Sequence, residues 1–165
     1  MKRDYYLFTL PALVVVLLDQ ISKLMVTNTI TYHESIPVIN GFFNLVHVRN
    51  RGMAFGLMNR PDAGVVFYIL VAATIMAILL LIYWFTRLKN EDRMLILGLS
   101  LILGGAVGNL IDRIRLMEVI DFLDFYIGAY HWPAFNLADS AITVGTFWVA
   151  INILFISSSD SRIDN

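Results

Sequence analysis

The run VVFYILVAATIMAILLLIYWF, residues 65–85, carries no charged side chain. A hydrocarbon core about 30 Å thick takes about 20 helical residues to cross, and inside it every backbone N–H and C=O must be bonded within the segment. This run therefore reads as a membrane-spanning helix. Three further segments, about 6–26, 94–111 and 137–156, are long and apolar enough to do the same. The expected fold class is an all-α membrane protein, a four-transmembrane-helix bundle with a small extracytoplasmic β-rich segment. A composition that is 58% hydrophobic and 15% charged, with mean hydropathy +0.71, agrees.

The start, MKRDYYLFTLPALVVVLLDQ, has the basic end and apolar run of a signal peptide. Asp19 stands where a small-residue cleavage site is expected, so the segment reads as an uncleaved first span. Four spans return both termini to one side. Lys2 and Arg3 before the first span, with Arg87, Lys89 and Arg93 between the second and third, favour cytoplasmic termini. Arg49, Arg51, Arg60, Arg113 and Arg115 on the opposite side bring the raw count near a tie. Two long connections fall on that outer side. Residues 28–62 are rich in β-branched and aromatic side chains around Pro37 and the turn pair Asn40-Gly41, which predicts a hairpin or small sheet. Residues 114–135 form an outer loop too aromatic for a solvated tail. With no repeat, low-complexity tract or linker, residues 1–165 read as a single membrane-embedded domain.

The polar residues of the spans collect near one membrane face. In GGAVGNLIDR, Gly105, Gly108, Asn109 and Asp112 fall at i, i+3, i+4 and i+7 and share a helix face. Gly104 and Gly108 also fit a small-residue packing seam. Asn136, Asp139, Ser140 and Thr143 repeat the spacing at the start of the fourth span, where Asn136 also suits an N-cap with Asp139 in the first turn. Asp19 and Lys23, acid first at i, i+4, suit a structural ion pair. Asp121 and Asp124 lie in the connection at the same face. Two adjacent carboxyls that share a proton can activate water with one group and protonate a leaving group with the other, the chemistry of peptide hydrolysis. A proton or ion pathway also uses intramembrane acids, but it calls for acids spread through membrane depth. A membrane scaffold needs none.

Other chemistries fit less well. His33, His47 and His131 lack metal-ligand spacing, and no cysteine is present. The GGAVG glycines lie inside an apolar span rather than between a strand and a helix, which disfavours a phosphate loop. Ser22 and Lys23 point in different helical directions and do not make a dyad. A formal net charge of −1 without a basic stripe disfavours nucleic acid. Trp84, Tyr130 and Trp132 read as interface anchors.

Five segments in order, DQISK (19–23), NRGMAFG (50–56), GGAVGNLIDR (104–113), VIDF (119–122) and FNLADS (135–140), resemble the lipoprotein signal peptidase, or signal peptidase II, family over nearly the whole chain. The resemblance implies an aspartic endopeptidase of the bacterial inner membrane that removes the signal peptide from lipid-modified prolipoproteins. Cleavage falls just before the diacylglyceryl-modified cysteine, toward the outer leaflet. It implies Asp121 and Asp139 as the catalytic pair, deciding between Asp121 and Asp124 where the residues alone do not. Asp19, Lys23, Asn50, Gly52, Asn109, Asp112, Arg113 and Asn136 are implied as supporting residues. No metal or cofactor is implied. The expected partners are prolipoproteins and membrane lipid, with the chain acting as a monomer. Met53 departs from the smaller residue usual in the family, and Glu118 adds an acid near Asp121.

Overall fold

The computed structural model describes residues 5–52, 63–88 and 93–156. Met53 and the rest of the first connection up to residue 62 lie outside the described residues. Four long helices form the bundle: α1 (Tyr5–Thr29), α2 (Ala63–Arg87), α3 (Arg93–Leu116) and α4 (Leu137–Ile151), the last continuing as a π-helical turn over Asn152–Ile156. All four are long and apolar enough to span a membrane. The helix α3 lies at the centre and packs against α1, α2 and α4. It reaches Leu116, five residues beyond the apolar stretch expected from the sequence, because Asp112 finds a buried partner there and the turn that carries it stays helical.

Small residues decide how close the helices come. A Cβ on Gly104 would lie 2.7 Å from the Ala12 carbonyl oxygen of α1, and one on Gly105 would collide with the Ala138 carbonyl oxygen of α4. At the other end of α4, a Cβ on Gly145 would lie 2.7 Å from the Gly98 carbonyl oxygen of α3. Lipid offers no hydrophobic drive for helices to associate, so this close backbone approach and the dispersion contacts it permits hold the bundle. The buried Ser100 hydroxyl adds a bond to the Phe8 carbonyl, 2.6 Å. Beside it Phe8 stacks on Phe85, centroids 4.1 Å apart, within a cluster completed by Ile96, Leu99 and Val149. The outward faces of α1 and α2 expose Leu17, Ile21, Leu24, Ile69, Met76 and Leu80. In water that would be a liability, but facing acyl chains it is the expected state.

The two connections build one antiparallel sheet, ordered β1 (Ser35–Ile39), β2 (Phe43–Asn50), β3 (Val119–Ile127) and β4 (Tyr130–His131). The predicted hairpin is β1–β2, turning at Gly41 with φ +81°. Residues 114–135, expected as a loop, instead contribute β3, which pairs along β2 with Val48 opposite Asp121 and Asn44 opposite Asp124. The register shifts between Leu45 and Val48. The strand signal was present in VIDFLDFYI, but its partner lies some 70 residues away and local pattern does not announce such pairing. Val26, Ile30 and Phe122 form a second cluster, with Leu45, Leu123 and Leu137 against it, that seats the sheet on the end of the bundle.

Gly105→Ala should lower the thermal unfolding temperature in detergent, by an overpacking cost of about 1–3 kcal/mol. Gly64→Ala, where an added Cβ meets nothing within 4 Å, should leave it unchanged or slightly raised.

Candidate active site

Where the bundle meets the sheet, α1, α3, α4 and β3 each bring polar side chains to one place. On α1 the buried face is Asp19, Lys23 and Val26, one helical side, so the acid and the lysine point inward together. Lys23 Nζ lies 2.8 Å from Asp19 Oδ2 and 2.7 Å from Asp112 Oδ2 of α3, with all three side chains at most 3% exposed. Asp19 Oδ1 also accepts the Ala138 N–H of α4 (3.0 Å), and Asp112 Oδ2 the Ile120 N–H of β3 (3.3 Å). Gly108 makes this possible, since a Cβ there would lie 2.7 Å from Asp19 Oδ2. Gln20 Nε2 completes the cluster with a bond of 2.9 Å to Asp112 Oδ1. Sequence reasoning passed over Gln20, although an amide inside an apolar span next to Asp19 was a signal that it serves the same cluster.

The next shell is a pair of amides. Lys23 Nζ donates to Asn109 Oδ1 (3.0 Å), and Asn109 Nδ2 donates to Asp139 Oδ1 (2.8 Å). Asn136 Nδ2 donates to Asn109 Oδ1 (3.2 Å) and to Asp121 Oδ1 (2.8 Å). Asn136 and Asp139 also form a reciprocal capping box at the start of α4: Asn136 Oδ1 accepts the Asp139 N–H (2.9 Å) and Asp139 Oδ2 accepts the Asn136 N–H (3.3 Å). The capping role and the polar-cluster role read from the sequence are thus one arrangement, in which Asn136 touches both Asp121 and Asp139.

Asp121 is 2% exposed, and its other oxygen accepts from Asn50 Nδ2, 3.0 Å. Asn50 Oδ1 in turn accepts the Gly52 N–H (2.8 Å). Gly52 has φ +90°, and a Cβ would collide with Leu70 of α2, so glycine alone fits the turn that aims Asn50. Burial pushes the Asp121 carboxyl up to about 6, with the nearby Asp139 charge adding to the rise and the bonds from Asn50 and Asn136 opposing it. Asp139 is half-buried and lines a groove of about 390 Å³ between α2, α3 and α4, walled by Leu70, Ala73, Ala106 and Ile142. Arg113 opens on the same groove, donates to the Asn109 carbonyl (3.3 Å), and lies within electrostatic reach of Asp139, Asp121 and Asp112.

Asp124 is engaged elsewhere. It accepts from Asn44 Nδ2 (2.8 Å) and pairs with His131 Nδ1 (2.9 Å), within the sheet. Glu118 is bound by Arg51, with Nη2 at 3.0 Å. The structure thus separates two acids that are three residues apart in sequence. It brings all ten residues singled out there, from Asp19 to Asp139, into one contiguous set.

A solved bacterial membrane enzyme, determined by the in meso method at 2.3 Å, superposes with a TM-score of 0.79 at 33% identity, covering 91% of this chain and 88% of its own. A second, at 1.9 Å, gives the same TM-score at 34% identity, covering 88% of this chain and 91% of its own. The class is therefore an integral membrane enzyme. A family model described as signal peptidase (SPase) II matches residues 11–155. The lipoprotein signal peptidase of Desulforapulum autotrophicum is 49% identical over 144 residues, 86% of this chain and 88% of its own length. That of Syntrophus aciditrophicus is 44% identical over 156 residues, 93% and 96%. The chain belongs to the signal peptidase II family and is a peptidase.

Removing the shared cation tests the cluster. Lys23→Met leaves Asp19 and Asp112 buried without their counter-charge and should cost about 3–5 kcal/mol. Equilibrium unfolding in mixed detergent micelles reads this directly.

Proposed function

We propose that this peptidase removes the signal peptide from lipid-modified prolipoproteins by activating water between Asp121 and Asp139. The observation that carries the assignment is Asn136, whose side-chain amide donates to the Asp121 carboxylate while its backbone N–H donates to that of Asp139. Asp139 faces the groove from the first turn of α4, where the helix dipole stabilises negative charge, and acts as the base. Asp121 is buried, with its carboxyl raised to about 6, and acts as the partner that carries the proton. Water attacks the scissile carbonyl as Asp139 takes its proton, and Asp121 protonates the departing amine. Lys23 and Asn109 fix the orientation of Asp139, Asn50 and Gly52 that of Asp121, and Arg113 offsets negative charge at the groove.

The groove between α2, α3 and α4 supports a matching substrate pose. Its walls are apolar and its polar end is Asp139, Asn109 and Arg113. The apolar signal segment lies along the walls, the lipid on the modified cysteine remains among acyl chains, and the peptide before that cysteine meets the aspartates. The sheet and site face the outer leaflet of the inner membrane, with both termini and the basic 87–93 link cytoplasmic. The enzyme works as a monomer.

Asp121→Asn and Asp139→Asn should each lower cleavage of a lipid-modified prolipoprotein by at least about 10²–10⁴-fold while the protein still inserts and unfolds cooperatively. Asp124→Asn should retain cleavage; a dead Asp124→Asn with an active Asp121→Asn refutes the pair. A pH test follows from the raised carboxyl. The folded protein holds a proton on Asp121 more tightly than the unfolded chain, so wild type loses stability as pH rises from the ordinary 3.8 through about 6. Asp121→Asn lacks this dependence. The unfolding temperature of the variant relative to wild type should therefore rise by at least about 2–4 °C between the acidic and neutral ends of that window.

A further inference from the structure

We propose that the cleft between α1, the last turn of α3 and β2, rimmed by Arg49 and Arg115, binds the headgroup of an acidic phospholipid. The cleft encloses about 230 Å³ and lies on a different face of α3 from the groove that holds Asp139. Its floor is the buried Lys23–Asp112 pair and Gln20, and Thr27 stands on the α1 side. Lys23 is fully engaged by Asp19 and Asp112 at 2.8 and 2.7 Å, a buried group whose two carboxylates outweigh its one cation, so the positive charge that faces the opening of the cleft comes from the two arginines, which outweigh that excess.

Both arginines are exposed, and neither has an acidic partner among the described residues. Arg49 rests over the Tyr32 ring, 5.3 Å from its centroid, which leaves its guanidinium edge free to donate. Arg115 sits in the last turn of α3. The helix dipole favours a cation there, which accounts for Arg115 alone. It does not account for Arg49, which reaches the same cleft from a strand. Two planar forks converging on one small cavity match the oxygens of a phosphodiester.

Size and surroundings select a lipid. The cavity falls below the roughly 300 Å³ at which clefts for whole small molecules begin, so it takes a headgroup and leaves the rest of the ligand outside. On its membrane side the rim is Leu24, 59% exposed, continuous with the exposed Ile21 and Leu17 of α1. Acyl chains lie naturally along that face, whereas free phosphate gains nothing from it. A zwitterionic headgroup brings its own ammonium and loses most of the attraction, so an anionic diacyl lipid fits best.

The test uses the full chain purified in detergent and offered phosphatidylglycerol and phosphatidylcholine in equal amounts, with retained lipid read by native mass spectrometry. Wild type should retain phosphatidylglycerol over phosphatidylcholine by roughly 10–30-fold, the effect of two arginines near a membrane charge. Arg49→Gln with Arg115→Gln should abolish the preference. Arg87→Gln with Arg93→Gln, which removes equal charge at the other end of the bundle, should not. Should the first double variant fail to fold, each single variant should lose about fivefold on its own. Equal preference in wild type and the Arg49/Arg115 variants overturns the site, as does an equal loss in the Arg87/Arg93 variant. A wild type that shows no lipid preference but is stabilised by inorganic phosphate, where the Arg49/Arg115 variant is not, overturns the lipid assignment in favour of free phosphate.

Discussion

The architecture at the sheet end of this membrane protein depends on one buried cation. Lys23 bonds Asp19 on its own helix, Asp112 on α3 and the Asn109 amide. Through the second oxygen of Asp19 it also reaches the first turn of α4, and through the same Asp112 oxygen that it pairs with, the start of β3. A lysine and two carboxylates withdrawn from water carry a desolvation cost that close geometry and further donors must offset. Gln20, the Ala138 N–H and the Ile120 N–H supply those donors. What results is a junction that fixes three helices and a strand relative to one another, without which the two aspartates beyond it have no common frame.

Glycines set the distances that this junction needs. Gly104 admits α1, Gly105 admits α4, and Gly108 leaves room for the Asp19 carboxylate itself. Larger residues there separate α3 from its neighbours and pull the Lys23 bonds out of range. Packing along the bundle and polar chemistry at its end are therefore parts of a single constraint. The outer faces of α1 and α2 remain broadly apolar, as contact with lipid requires.

The amides Asn109 and Asn136 transmit order from the junction to the site. Asn109 accepts from Lys23 and donates to Asp139; Asn136 caps α4 and donates to Asp121. Two carboxyls are thereby placed in unlike environments, one enclosed under the sheet and one at the edge of an apolar groove. Burial raises the Asp121 carboxyl, and an enclosed acid beside one that faces the groove suits acid and base roles. That asymmetry is a product of the fold, since the two segments are alike in carrying an acid beside apolar residues.

The spans were legible from apolar length alone, because lipid permits few alternatives to a helix, and so were the β1–β2 hairpin at Gly41 and the Asp19–Lys23 pair, which are local in sequence. The ordered motifs also pointed to the family and to the residues now seen together. Local pattern did not reveal that residues 119–127 form a central strand, that α3 continues past its apolar stretch, or that Gln20 belongs to the cluster. Nor did it separate Asp121 from Asp124 on physical grounds. That difference arises when β3 pairs with β2: Asn50 and Asn136 then meet one acid, and Asn44 and His131 the other. Segment length and hydropathy are properties of neighbouring residues and survive in the linear chain, whereas which carboxylate faces which amide depends on contacts between separate elements, 15 residues apart for Asn136 and Asp121 and 71 and 80 apart for the pairs made by Asn50 and Asn44, and only the folded molecule fixes those.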